Sequence, residues 1–249
     1  MRETFHRNKA WFERAILAFI LPGVAGAINA SGFFAVGSYT SHVTGNVARI
    51  GDELVSGHLW LAARAAVFVA SFLTGAIASS LLILYGKRLG GPPYWRALLF
   101  ECALLLVFAT VSVGSEHRAH LNSLEMTSLI CVAMGAQNAM VTKLSLAVVR
   151  TTHMTGIVTD VGIEAARAWD HWRHDGRRPP HPVWTDPDFR KLRLHLAILG
   201  SFLAGATVGP LLYVFLGHIG MLVPCAVLLG LAGFDAWIGL SAHTLPRPV

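Results

Sequence analysis

Six stretches of the chain are almost wholly apolar, at about 15–36, 62–85, 97–114, 126–147, 194–216 and 220–240. A helix that spans a bilayer needs about 20 such residues, so the pattern predicts six transmembrane helices. Two shorter stretches, about 42–57 and 153–167, break the pattern. The first carries Arg49, Asp52 and Glu53, the second Asp160 and Glu164. A charge at mid-bilayer costs roughly 2.5–3.5 kcal/mol even on insertion scales. These two are therefore expected as short broken or re-entrant helices, covered by protein.

Composition agrees with this pattern. The chain has 249 residues, of which 54% are hydrophobic and 14% charged, against about 25% charged in a soluble domain. The net charge of +6 does not point to nucleic acid, because no basic patch interleaved with aromatics is present. The basic residues sit beside apolar runs, where they report orientation. With six spans, residues 1–14, 86–96 and 167–193 share one face and hold 4, 3 and 7 Lys/Arg. The opposite face receives 114–125, with only Arg118. If the two short helices also crossed, Lys87, Arg88 and Arg96 would move outside, against the positive-inside rule. Six spans with both termini cytoplasmic follow. Ala25-Gly26-Ala27 resembles a signal-peptidase site, but the block recurs mid-chain, so it is read as part of the mature fold.

An internal repeat organises the polar residues. G-A-x-N-A occurs at Gly26 and Gly135, S/T-H-x-T-G-x-V-x-x-x-G-x-E at Ser41 and Thr152, and S-F-L-x-G-A at Ser71 and Ser201. Repeat 1 covers 15–114 and repeat 2 covers 126–240 of a single membrane domain, with a Pro/His/Arg-rich cytoplasmic loop at 168–192. Three spans per half place the second half upside down. The fold class expected is therefore all-α and polytopic, as two inverted three-span repeats. In that plan, substrate sites lie near the midplane, where interrupted helices of both halves meet.

The candidate site follows from the motif. His42, Thr44 and Gly45 in the first copy, followed by Asn46, match His153, Thr155 and Gly156 in the second. Histidine inside a membrane can hydrogen-bond or carry a proton. Glycine permits close approach, and Ser41 or Thr152 can cap the helix that follows. Asn29, Gln137 and Asn138 bring amides close to the motif. Arg49 and Asp160 occupy equivalent positions with opposite charge, so a pair across the interface is expected. Glu53 and Glu164 also match, and Asp160 and Glu164 lie one turn apart on one face. Glu101 and Asp235 are isolated acids within spans, expected to snorkel. Ser71/Gly75/Ser79 and Ser201/Gly205/Gly209 are small-residue stripes for helix packing. His171, His174 and His181 have no fixed ligand spacing, and two motif histidines fall short of the three or four ligands of most metal sites. No metal or other cofactor is expected. Cys102, Cys131 and Cys225 read as free, buried apolar residues.

These residues support a transporter or channel for a small polar or anionic solute, the anion being suited to helix N-termini. Proton coupling through His or Glu fits the same reading. One alternative is a membrane enzyme using His, Asp and Glu with a metal or activated water, although H-E-x-x-H and G-x-S-x-G are missing and no catalytic residue is assigned. Another is a non-catalytic membrane assembly protein. Expected partners are lipid and an unknown small solute, with no nucleic acid; a homo-oligomer is compatible. Ser41 to Asn46, Met134 to Ala139 and Arg150 to Gly156 resemble the motifs of the YoaK-like family of uncharacterised bacterial multi-pass membrane proteins. The resemblance spans roughly 16–240 and implies an inner-membrane protein of about six spans, without implying an activity.

Overall fold

The computed structural model describes residues 2–114, 123–144, 154–174 and 187–243. All regular structure among them is helical: α1 (Arg2–Val36), α2 (Val43–Val55), α3 (Leu59–Arg88), α4 (Trp95–Gly114), α5 (Ser123–Leu144), α6 (Met154–His174), α7 (Pro187–Leu216), a 3-10 turn (Gly217–Met221) and α8 (Leu222–His243). Four stretches are long and apolar enough to cross a membrane: Phe19–Val36, Leu59–Arg88, Leu124–Lys143 and Lys191–Trp237. The chain is thus a helical membrane protein. The last stretch is 47 residues long and divides into α7 and α8 at the 3-10 turn, where Gly217 takes a φ of 61°. The expected stretch at 97–114 is helical, as α4, but is not among the four.

Helix limits differ from the apolar runs for a physical reason: hydropathy marks where a helix meets lipid, not where it ends. The first helix begins at Arg2, well before residue 15. The second motif helix continues past 167 to His174, so only 175–186 remain between α6 and α7. The first motif helix has 13 residues, about 20 Å at 1.5 Å per residue, too short for a hydrocarbon core of about 30 Å; contrary to expectation it is not covered by protein, since none of its residues is buried. It stops because Gly57 adopts a φ of 78°. There His58 N–H reaches Glu53 O at 2.8 Å and Gly57 N–H reaches Leu54 O at 3.2 Å, the paired bonds of a Schellman ending.

Packing is set by glycines. Lipid tails are as apolar as leucine, so helices in a bilayer associate through close backbone approach at small residues. A β-carbon at Gly75 would land on the Val132 carbonyl, and one at Gly135 on the Phe72 carbonyl. On α1 and α7, one at Gly26 would land on the Phe202 carbonyl, and one at Gly205 on the Gly23 carbonyl. Each crossing therefore presses the G-A-x-N-A block of one repeat into the S-F-L-x-G-A block of the other. Ser201 Oγ adds a 2.7 Å hydrogen bond to Phe19 O, and the small-residue stripes serve as the packing faces expected. Large residues point outward: Leu73, Ile77 and Leu81 on α3, and Leu203, Leu211 and Phe215 on α7, are exposed. Thr74 and Thr207, exposed on the same helices, return their hydroxyls to Ala70 O and Leu203 O, as lipid exposure demands.

The packing units are not the sequence repeats. One group is α2, α3 and α5; the other is α6, α7 and α1. Each combines helices from both halves. The groups meet where α1 touches α5. Gln137 Nε2 donates to Leu21 O at 3.1 Å, and Gly32 faces Ile130, so α1 and α5 run antiparallel. Beside them, α4 and α8 pack antiparallel. Asp235 Oδ2 accepts the Tyr94 and Trp95 N–H groups at 3.0 and 2.8 Å. This acid caps the start of α4 rather than snorkelling. Glu101 does not snorkel either, being wholly buried.

The cysteines correct a second expectation. Cys131 is free and buried, but Cys102 and Cys225 form a disulfide across α4 and α8, with Cα atoms 5.1 Å apart. They lie 123 residues apart, a separation from which no pairing can be read. They also head matching strings, Cys102-Ala103-Leu104-Leu105-Leu106 and Cys225-Ala226-Val227-Leu228-Leu229, so the bond joins equivalent positions of the two halves.

Overpacking a tight core costs roughly 1–3 kcal/mol. Gly75→Ala and Gly135→Ala should each destabilise the protein by that amount, while Gly200→Ala, with open space around it, should not. Thermal unfolding in detergent measures all three, and equal stability at the crossing sites would refute the glycine-to-carbonyl packing.

Candidate functional site

A cavity of about 670 Å³ lies where the two motif segments approach each other. The first segment contributes Ser41, His42, Val43 and Thr44; the second contributes Thr155, Gly156, Thr159 and Asp160. Phe72 of α3 and Asn138 and Thr142 of α5 complete the wall. The cavity thus opens between the α2–α3–α5 group and α6 of the other group.

Local geometry explains the motif's composition. His42 is the residue before α2, and its side chain makes no capping bond. Its imidazole instead folds back over the first turn, where a β-carbon on Gly45 would run into the ring. The H-x-x-G spacing is what lets the ring lie there. The expected Ser41 side-chain cap is not formed; the Ser41 carbonyl accepts the Val43 N–H at 2.9 Å. Asn29 does not reach the cavity wall. Its Oδ1 accepts the Ser41 N–H at 3.1 Å, fixing the backbone that leads into α2. Gln137 is fully buried and bonded to Leu21 O, so it ties α5 to α1. Asn138 lines the cavity with its Oδ1 buried and without a hydrogen-bond partner among the described residues.

The charged positions separate. Asp160 is on the cavity wall. Its counterpart Arg49 is not, and Arg49 Nε pairs at 3.3 Å with Glu53 Oε1 within α2. The expected partnership of Arg49 with Asp160 is therefore replaced by a local one, because residues four apart on a helix meet without any tertiary requirement. Glu53 also meets His58 Nδ1 at 3.0 Å. Glu164 lies away from the wall and pairs with His195 Nδ1 at 3.1 Å. Both of those side chains are 7% exposed, in contrast to the 54% of Arg49. His195 went unnoticed in the sequence because it stands alone in an apolar run, outside any repeated block. In each half, then, the motif glutamate meets a histidine from the segment that follows.

Gly45, Asn46, Arg49, Glu53, Glu164, Asn29 and Gln137 are outside the wall; His42, Thr44, Thr155, Gly156, Asn138 and Asp160 share it. Thr152 and His153 lie outside the described residues, as does His181. Among the described residues no group of three His, Cys, Asp or Glu side chains is placed to hold a metal.

Over residues 17–234 the chain matches the family described as a protein of unknown function, DUF1275, and it belongs to that family. No curated protein and no solved structure matches it.

The two kinds of glutamate pair should differ in worth. Removing one partner of a buried polar pair costs on the order of 2–4 kcal/mol, because the other is left unsatisfied, whereas exposed pairs contribute about 0–1 kcal/mol. Glu164→Ala should therefore lower thermal stability strongly and Arg49→Ala barely. Comparable shifts for the two variants would show that the Glu164–His195 pair is not a buried tie between α6 and α7.

Proposed function

We propose that this protein is a transporter or channel for a small polar solute, with the motif cavity as its binding site. The observation that carries the reading is the cavity itself. It is lined by the equivalent segments of both repeats, and its wall offers hydroxyls, an amide, an imidazole and a carboxylate. Solute pathways through membranes are built where short or interrupted helices from two repeats meet. Polar groups inside a membrane are costly and persist where they serve a solute or ion.

Six crossings, with the halves inverted, are part of this reading. The antiparallel run of α1 and α5, the first helices of each half, supports it. So does the equivalence of the two glycine crossings. The two three-helix groups are suited to rocking against one another around the cavity, with the disulfide-linked α4 and α8 as a fixed pair beside them. The positive-inside pattern supports cytoplasmic termini, and the reading takes the membrane to be a bacterial inner membrane. Proton coupling is assigned to the motif histidines and glutamates, now including His195.

Two measurements test this. In proteoliposomes, the protein should accelerate the flux of small polar solutes over protein-free vesicles. His42→Ala or Asn138→Leu should reduce that flux by about tenfold, the scale of one hydrogen bond to the solute. Flux that is unchanged by both variants would remove the cavity from the pathway. For orientation, a single reactive cysteine at Gly91 with Cys131→Ala should resist an impermeant thiol reagent in intact cells and react after lysis. Gly91 suits the purpose because it has open space and ordinary φ, unlike Gly90 with a φ of 70°. Labelling of intact cells would mean that α2 and α6 cross the membrane and that the halves are not inverted.

A further inference from the structure

We propose that the solute is a small monovalent cation bearing N–H donors, of the guanidinium or ammonium class, and that Asp160 recognises it. This rests on the transport reading and adds the sign of the solute's charge.

Among the described residues, Asp160 is the one carboxylate on the cavity wall, and no lysine or arginine lines it. Two cations on helices that line the wall are committed elsewhere. Arg49 pairs with Glu53. Lys143, next to the wall residue Thr142, sends its ammonium to Ser80 O at 3.2 Å. Two of the neutral groups add acceptors. Asn138 Oδ1 is buried and unpartnered among the described residues. Thr159 spends its hydroxyl hydrogen on Thr155 O at 2.9 Å, so what it turns outward is lone pairs. Together with the carboxylate, these acceptors favour a ligand that donates, and charge-assisted bonds to a carboxylate are the strongest on offer.

The opposing feature is the pair of helix N-termini at the wall, from α2 and α6, which in the sequence favoured an anion. Each carries about half a positive charge, and the effect fades within the first turn. Asp160 lies in the second turn of α6, past the reach of that effect, so its carboxylate is left for a cation. One carboxylate balances one positive charge. A divalent metal would take several oxygen ligands, usually including more than one carboxylate, and no cluster of three His, Cys, Asp or Glu is present among the described residues. The volume also matters. About 670 Å³ is room for on the order of 20 waters at roughly 30 Å³ each. That suits an organic cation or a hydrated ion rather than a stripped one.

Three planar trigonal probes of similar size separate the possibilities: guanidinium is cationic, urea neutral and nitrate anionic. Full-length protein in liposomes should pass guanidinium faster than either of the others. Asp160→Asn should lower guanidinium flux by about tenfold or more, the scale of a lost charge-assisted hydrogen bond, while Asp160→Glu keeps most of it. Should Asp160→Asn not give monodisperse protein, Thr159→Val removes an acceptor without touching the charge, and about a threefold loss is expected. Faster urea or nitrate, or guanidinium flux indifferent to these variants, overturns the cation assignment and leaves the transport reading standing. If none of the three crosses faster than in protein-free liposomes, the transport reading fails, and the assignment with it.

Discussion

Everything in this fold depends on backbone touching backbone at two helix crossings. Gly75 and Gly135 hold α3 against α5, and Gly26 and Gly205 hold α1 against α7, in each case with a carbonyl where a β-carbon would otherwise sit. In a bilayer no hydrophobic force drives one helix onto another. Dispersion between closely fitted backbones does that work, and it falls away steeply with a gap of an ångström. Small residues at the crossings and large ones toward lipid are two sides of the same constraint.

Because each crossing joins a block of one repeat to a different block of the other, the halves are intertwined. Neither three-helix group can be assembled from a single repeat. The cavity inherits this arrangement: its wall takes α2, α3 and α5 from one group and α6 from the other. A site so placed changes shape whenever the groups shift, which is the mechanical basis for reading it as a solute pathway. The disulfide and the Asp235 cap tie α4 to α8 beside both groups.

Duplication has not made the site symmetric. The two motif copies share histidine, threonine and glycine, yet among the described residues only Asp160 brings a charge of fixed sign to the wall, while Arg49 pairs within its own helix. Likewise the two motif glutamates both meet histidines, one pair exposed and the other buried. Symmetry here supplies the frame, and the departures from it supply the chemistry.

The repeated blocks, the apolar runs and the two short polar segments were legible along the chain, because each is a local pattern with a local physical meaning: a length that fits or fails to fit a bilayer, a glycine where a side chain would clash, an acid that lipid would reject. Those patterns determined a helical membrane protein, its packing stripes and the residues around which a polar site would gather. They could not decide which groups would meet. That His195 faces Glu164, that Asn29 holds backbone while Asn138 faces the cavity, and that Cys102 finds Cys225 are outcomes of helix direction and rotation about an axis. A periodic sequence says which face of a helix is polar, but only the packed neighbours set what that face sees. Arg49 shows the limit most clearly: the repeat pointed to Asp160 as its partner, and a glutamate one turn away was nearer.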